Sequence, residues 1–303
     1  METVSCNICS GLDFEPLHEF VLEGADEPAR LVRCQGCDLV FLSPRPSKGE
    51  IGAYYPKTYQ EEMLRIIAAS KESAVMRLGI NMILKRRTPP KRIKTGKVLD
   101  VGCSNGSLLA ALRERGWQVE GIEMDEVAAE YARSSRGLKV TQGSAEEALP
   151  GMPADSFDVV TMWHLLEHLH DPVGALGHVR RILKPGGILM LEVPDYSSPP
   201  ASWFDDCWFP LDIPRHLYHF TPQTLRAALS RAGLDLVESS GIPSPEAIVW
   251  SLAAKRQGRP IDFSRGDSLE LSPTLMALSY PLTWVMAQFG KSDHMGAVAV
   301  RNS

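Results

Sequence analysis

The 303-residue sequence lacks any uninterrupted apolar run of the ~18 residues that a membrane-spanning helix requires. Its start, METVSCNICSGLDFEP, lacks a basic segment followed by an apolar one, so no signal peptide is expected and the cytoplasm is the default location. Charge of one sign is also missing. Lys and Arg number 32 against 37 Asp and Glu, a net charge of -5 that excludes a globally basic nucleic-acid binder. No internal repeat or low-complexity tract is present. Neither G-x-G-x-x-G nor the P-loop lysine pattern occurs, which removes dinucleotide oxidoreductases and P-loop NTPases. What remains is an ordinary composition, 44% hydrophobic and 23% charged, in a chain long enough for about two domains with full cores.

Six cysteines are present, and four fall into two C-x-x-C pairs, Cys6/Cys9 and Cys34/Cys37, separated by 24 residues. Each pair sets two thiolates on one tight turn, so together they suit a tetrahedral, structural Zn2+ with no open coordination position. A pair of disulfides is the rival, disfavoured in a cytosolic chain. Cys207 stands alone, as does Cys103, which lies in the glycine turn considered below.

Residues 1–45 therefore read as a zinc ribbon, and 46–93 as a helical linker or cap; the basic stretch KRRTPPKRIKTGK, Lys85 to Lys97, which straddles its end, reads as a solvated linker. Residues 94–303 form one further domain with inserts at 196–220 and 243–292. There the pattern becomes strand, turn, helix, repeated: KVLDVG, SLLAALRERG, WQVEGIE, MDEVAAEYARSS, LKVTQG, FDVVTMW, VGALGHVRRILKPG and GGILMLEVP. Such alternation predicts an α/β fold, a Rossmann-like sheet with right-handed crossovers. TPQTLRAALSRAG adds a helix with a Thr221-Pro222 start and a Gly233 stop, before two last strands, LDLVESSGI and HMGAVAVRN.

The segment VLDVGCSNGSLL runs a strand into a glycine-containing turn and then a helix. Gly102 and Gly106 allow a ligand close to the main chain. Asp100 at the strand end would repel a pyrophosphate and attract a cation. Glu123, ending the second strand 23 residues on, can accept hydrogen bonds from ribose hydroxyls. A ligand with a positive charge and a nucleoside fits both; S-adenosylmethionine (SAM) has both.

In order and spacing, VLDVGCSNGSL, VEGIEMDEVAAEYAR, GSAEEALP, FDVVTMWHLLEHLHDP and LKPGGILMLEVPD resemble class I SAM-dependent methyltransferases over about 94–240 and the last strand. The resemblance implies a seven-stranded, mostly parallel sheet with its last strand antiparallel. It also implies that Asp100, Gly102, Cys103, Ser104 and Gly106 surround the methionine part of SAM, that Glu123 takes the ribose, and that Met124, Ser144 and Ala145 meet adenine. Trp163 and His164 would lie near the sulfonium. Where the family pattern has glycine, this chain has Ser104. The ribbon, CDLVFLSPRP and IPRHLYHFTPQTLRAALSRAGL are similar to a bacterial subgroup with a zinc-binding head that methylates sugars and other small molecules. That similarity implies His216, and with it His219, over the active site as a base, and Trp203, Trp208, Phe209 and Tyr218 walling a pocket for a small-molecule acceptor, methylated on O or C. Two alternatives stand beside this: an RNA methyltransferase with a zinc-ribbon head, and a non-catalytic interaction module. Nucleic acid is not the expected partner, and nothing in the sequence specifies an oligomeric state.

One decoy is His164-Leu-Leu-Glu167-His168, which matches the H-x-x-E-H zinc-protease signature. A protease would need these residues on a helix with a third ligand. Here they follow a buried strand, so Glu167 and His168 are expected to begin the fourth helix, with His170 and Asp171 exposed.

Overall fold

A computed structural model describes residues 1–55, 82–90, 93–261 and 273–302. Three short strands come first: β1 (Phe14–Phe20), β2 (Ala29–Cys34) and β3 (Val40–Leu42). Strands and helices then alternate as β4 (Lys97–Val101), α1 (Ser107–Arg113), β5 (Gln118–Glu123), α2 (Glu126–Arg136), β6 (Lys139–Gln142), α3 (Ala145–Ala148), β7 (Phe157–Trp163), α4 (Pro172–Ile182) and β8 (Leu183–Pro194). The remainder is α5 (Pro199–Phe204), β9 (Tyr218–His219), α6 (Pro222–Arg231), β10 (Leu234–Ile242), α7 (Pro245–Gln257), α8 (Pro273–Gln288) and β11 (His294–Arg301). Most of the helical cap expected at 46–93 (positions 56–81), together with Lys91, Arg92 and 262–272 of the later insert, lies outside the described residues.

Seven strands form one mixed sheet in the order β10-β11-β8-β7-β4-β5-β6, with the last strands antiparallel. β4 pairs in parallel with both β5 and β7, and β5 with β6, the crossover geometry that the alternating sequence requires. By compactness the chain divides into two units. The first comprises Met1–Tyr55, His164–Gly174 and Leu191–Val298; the second comprises Pro56–Trp163, Ala175–Met190 and Ala299–Ser303.

In the second unit the helices are held by caps that the sequence spells out. Asp125 accepts from the Ala128 amide at 2.7 Å to start α2, and Gly137 ends it in the left-handed region. Under α2, Leu109, Ala129, Ala132, Leu138 and Val140 pack with Cys103 in one buried cluster. Each fully buried leucine there is worth about 1.5–3 kcal/mol. The helix expected to run through LKPG stops at Ile182, because Pro185 disfavours the helical region for Lys184 before it; β8 begins at Leu183.

In the first unit, β1, β2 and β3 form an antiparallel sheet with a fourth strand, β9, drawn from far along the chain. Tyr218 pairs with Phe41 and His219 with Val40. Arg45, 4% exposed, fastens this sheet: it donates to the Tyr218 hydroxyl at 3.0 Å, the His170 carbonyl at 3.0 Å and Glu2 at 2.9 Å. His170, expected to be exposed, is buried and bonded through Nε2 to the Pro46 carbonyl at 3.1 Å. Asp171 is exposed, as expected, and caps α4 by accepting from the Gly174 amide at 2.9 Å. Glu167 and His168 do not begin that helix; they form a separate 3-10 turn, Leu166–His168.

Candidate cofactor site and imidazole cluster

The glycine turn after β4 is bound tightly to β5. The amides of Gly102 and Cys103 both donate to the Ile122 carbonyl, at 2.8 and 3.0 Å, and the Gly106 amide donates to Cys103. These amides are spent within the protein, so the turn is no phosphate cradle. Gly102 has φ 78° and Ser104 φ 48°, left-handed conformations that glycine adopts freely and serine only with strain. This is why the family pattern favours glycine at 104. Gly106 also has a packing role. A Cβ on it would stand 2.3 Å from Leu138 Cδ1 and 3.2 Å from Ala132, so its absence serves helix packing. The Cys103 side chain is likewise turned into the core, 5% exposed, and a Cβ on Gly121 would meet its Sγ at 2.6 Å.

Glu123 ends β5 with its carboxylate fixed by two amides: Ser104 N donates to Oε2 at 2.7 Å and Asp125 N to Oε1 at 2.8 Å. Each oxygen keeps a second lone pair for a further donor. Burial pushes the Glu123 carboxyl up, while those amides pull it down. Asp100 is 2% exposed and accepts from the Thr161 hydroxyl at 2.6 Å; burial pushes it up to about 7 despite that bond and the nearby Arg87. Of the other residues assigned to the cofactor, Met124 is 58% exposed, Ala145 is buried, and the Ser144 hydroxyl is used in a capping box with Glu147. Trp163 Nε1 has no hydrogen-bond partner among the described residues, and the Arg87 guanidinium lies 5.1 Å over its ring.

The first unit holds the rest. His164 adopts φ 51°, with Nε2 3.2 Å from Glu192 and Nδ1 3.6 Å from Glu167. Burial works against its charge, but the two carboxylates win and raise it to about 9. Glu167 is 0% exposed; burial alone would raise it, yet His164, His168 and His216 around it hold it at about 2. His168 lies ring to ring with His216, centroids 4.5 Å apart, and its Nδ1 meets the Arg215 carbonyl at 3.0 Å and the Tyr55 hydroxyl at 3.0 Å. Burial, with His216 beside it, lowers His168 to about 4. His216 Nδ1 meets the Pro210 carbonyl at 2.8 Å, and Asp212 stands 3.6 Å from its Nε2. His219 is 1% exposed with neither ring nitrogen bonded among the described residues; burial lowers it to about 3.

The four aromatic residues assigned to an acceptor pocket are not brought together. A cleft of about 250 Å3 in this unit is lined by Trp208 and Phe209 together with Asp212 and Arg215. Trp208 is nevertheless 2% exposed, its Nε1 donating to Asp293 at 2.6 Å, and Phe209 packs on Trp250 with centroids 4.2 Å apart. Tyr218 is 2% exposed and locked into the N-terminal sheet, which leaves it no free surface; Trp203 is 56% exposed and does not line the cleft. Sequence reasoning missed Glu167, Glu192, Asp212 and Arg215 as parts of this cluster.

The four ribbon cysteines converge. Their Sγ atoms lie within 4.8 Å of one another, with Cys6–Cys37 and Cys9–Cys34 at 3.4 Å, far beyond disulfide length. Tetrahedral zinc with Zn–S near 2.3 Å requires sulfur separations of about 3.8 Å. A Cβ on Gly11 or on Gly36 would stand 3.3 Å from Cys9 Sγ, so both glycines leave room for the sulfur cage. The residues fit a structural zinc ion. Burial pushes the Cys6 thiol up to about 11, so filling the cage displaces protons.

The chain is similar to known methyltransferases. The chain is 40% identical over 101 residues to the ubiquinone biosynthesis O-methyltransferase of Pseudomonas aeruginosa strain PAO1, covering 32% of this chain and 43% of that one. The enzyme of the same name from Idiomarina loihiensis is 32% identical over 159 residues, 48% of this chain and 64% of that one. The chain thus spans roughly half the length of these curated relatives. In fold it is similar to a SAM-dependent methyltransferase from Archaeoglobus fulgidus, with a TM-score of 0.50 and 19% identity over 73% of this chain and 93% of that one. A putative sarcosine dimethylglycine methyltransferase from Galdieria sulphuraria gives a TM-score of 0.50 and 17% identity, over 75% and 88%. A profile of the methyltransferase domain matches residues 71–239, more than half of the sequence, and the chain belongs to that family.

Proposed function

We propose that the protein transfers a methyl group from SAM to an oxygen of a small-molecule acceptor, with a structural zinc ion in its N-terminal ribbon. The observation that carries the cofactor reading is Glu123, whose carboxylate is held by the Ser104 and Asp125 amides with lone pairs left for two ribose hydroxyls. Asp100, Gly102 and Ser104 would meet the methionine part; Cys103 and Gly106 would act through the main chain alone. Met124 and Ala145 would flank adenine, and Trp163 offers an indole N–H that has no partner among the described residues. SAM supplies an activated methyl group on a good leaving group. The chain's residues would hold an acceptor oxygen in line with that methyl carbon, so that the carbon–oxygen bond would form as the carbon–sulfur bond breaks, and a base would take the acceptor's proton.

His216 suits the acid–base role. A backbone carbonyl can only accept, so the Pro210 carbonyl keeps the proton on Nδ1 and leaves the Nε2 lone pair to receive another. Trp208, Phe209, Asp212 and Arg215 would shape the acceptor cleft. Oxygen is favoured as the acceptor atom by the relatives named as O-methyltransferases. The test is transfer of labelled methyl from SAM to a panel of phenols, catechols and sugars by zinc-loaded protein. Transfer to a small hydroxyl compound, weakened in His216→Ala, supports the proposal. Transfer to RNA alone would replace it with the RNA enzyme.

A further inference from the structure

We propose that Glu167, His168 and His216 form a binding site for a divalent transition-metal ion, distinct from the four-cysteine cage. One ring nitrogen of each histidine and a carboxylate oxygen of Glu167 lie within 4.8 Å of one another. Three features make this a donor set. First, each histidine is oriented by a main-chain carbonyl: Pro210 O takes Nδ1 of His216 at 2.8 Å and Arg215 O takes Nδ1 of His168 at 3.0 Å. With Nδ1 of each ring turned to a carbonyl, Nε2 is the atom left to ligate a cation, the arrangement that metal-ligating histidines use.

Second, Glu167 is 0% exposed, and neither carboxylate oxygen has a hydrogen bond among the described residues. The nearest basic nitrogen, His164 Nδ1, stands at 3.6 Å, an ion-pair distance outside hydrogen-bond reach. The His164 imidazolium balances part of this buried charge, but oxygens that make no hydrogen bond among the described residues keep lone pairs for a metal cation. Third, two imidazoles and one carboxylate suit Zn2+, Fe2+, Co2+ or Ni2+, whereas Mg2+ and Ca2+ favour all-oxygen shells. Asp212, 3.6 Å from His216 Nε2 and bridged to Arg215, stands beside the set as a further carboxylate.

Three protein ligands leave open positions for water or for an oxygen of a bound molecule. The H-x-x-E-H signature names the wrong trio: His164 turns to Glu192, and His216 is the third ligand. An ion here engages the Nε2 lone pair that the acid–base reading assigns to His216. The inference does not depend on that reading, since metal uptake needs neither cofactor nor acceptor.

The test uses the full chain with zinc in its cysteine cage, stripped of loosely held metal and titrated with Co2+ alone. The proposal expects one further equivalent, with cobalt d–d absorption that lacks thiolate charge-transfer bands. Glu167→Gln and His168→Asn should each weaken that uptake by roughly tenfold or more, while the cage still holds one zinc as the sign of a folded ribbon. A folded wild type that binds only the cage ion at millimolar Co2+ would overturn the site, as would unchanged uptake by both variants.

Discussion

Asp100 and Glu167 are two carboxylates that the fold hides almost equally, at 2% and 0% exposure, and they titrate in opposite directions. Burial disfavours the charge on both. Asp100 has one hydroxyl partner, Thr161, with the Glu123 charge nearby, and burial prevails at about 7. Glu167 has no hydrogen-bond partner among the described residues but faces His164, His168 and His216, and it stays ionised down to about 2. Depth alone therefore does not decide ionisation; the polar groups that the chain places around each carboxyl do. The first is a group poised to respond to an arriving cation. The second is a fixed negative charge held among imidazoles.

The comparison is broken most directly by neutralising each carboxylate. Glu167→Gln removes a charge on which buried neighbours depend and should destabilise the fold by about 3–5 kcal/mol. Asp100→Asn replaces a carboxyl that the fold already holds partly neutral, so it should cost no stability at pH 7 and should raise it, because the unfolded chain no longer gains from ionising there. Urea unfolding at pH 7 of both variants checks this, and equal losses would refute the contrast. A smaller effect sharpens it. Thr161→Val deletes the one side-chain bond that favours ionised Asp100, costing about 1–2 kcal/mol and moving that carboxyl higher still, as carboxyl-region NMR titration would read.

A further expected effect is on the pH slope of stability. Asp100 and Asp293 are both raised by burial to about 7, against ~3.9 in an unfolded chain. Between these values the native state keeps protons that the unfolded chain has lost, so these two groups make stability fall as pH rises from about 4 through 7. Asp293→Asn, which keeps an oxygen for the Trp208 indole, should flatten the slope of melting temperature over that range. An unchanged slope would mean that Asp293 is ionised in the native protein.

Elements whose partners lie close in sequence, or whose spacing dictates geometry, were legible beforehand. The C-x-x-C pairs, the parallel strands and the Thr221 helix start belong to this group. Features made by distant chain segments were not. β9 is two residues long and joins the ribbon sheet through pairing with Val40 and Phe41, so Tyr218 and His219 read as pocket residues when their backbone and burial make them sheet residues. His170 looked like a loop histidine because its partner, the Pro46 carbonyl, lies 124 residues away. The Glu167 cluster combines residues from a 3-10 turn and from the insert before β9, and no spacing rule connects them. The packing of Gly106 against Leu138 is likewise visible only in three dimensions.

The central claim, that the turn after β4 and the tip of β5 hold a SAM-type nucleoside, is tested most directly by calorimetric titration with S-adenosylhomocysteine. Wild-type protein and Glu123→Ala should be compared at pH 7, with zinc content and circular dichroism as controls for folding. The account predicts saturable binding by the wild type and a loss of roughly tenfold or more in Glu123→Ala, since two charge-assisted ribose bonds would go. Undiminished affinity in a folded Glu123→Ala, or no heat of binding in a folded, zinc-loaded wild type, would contradict it.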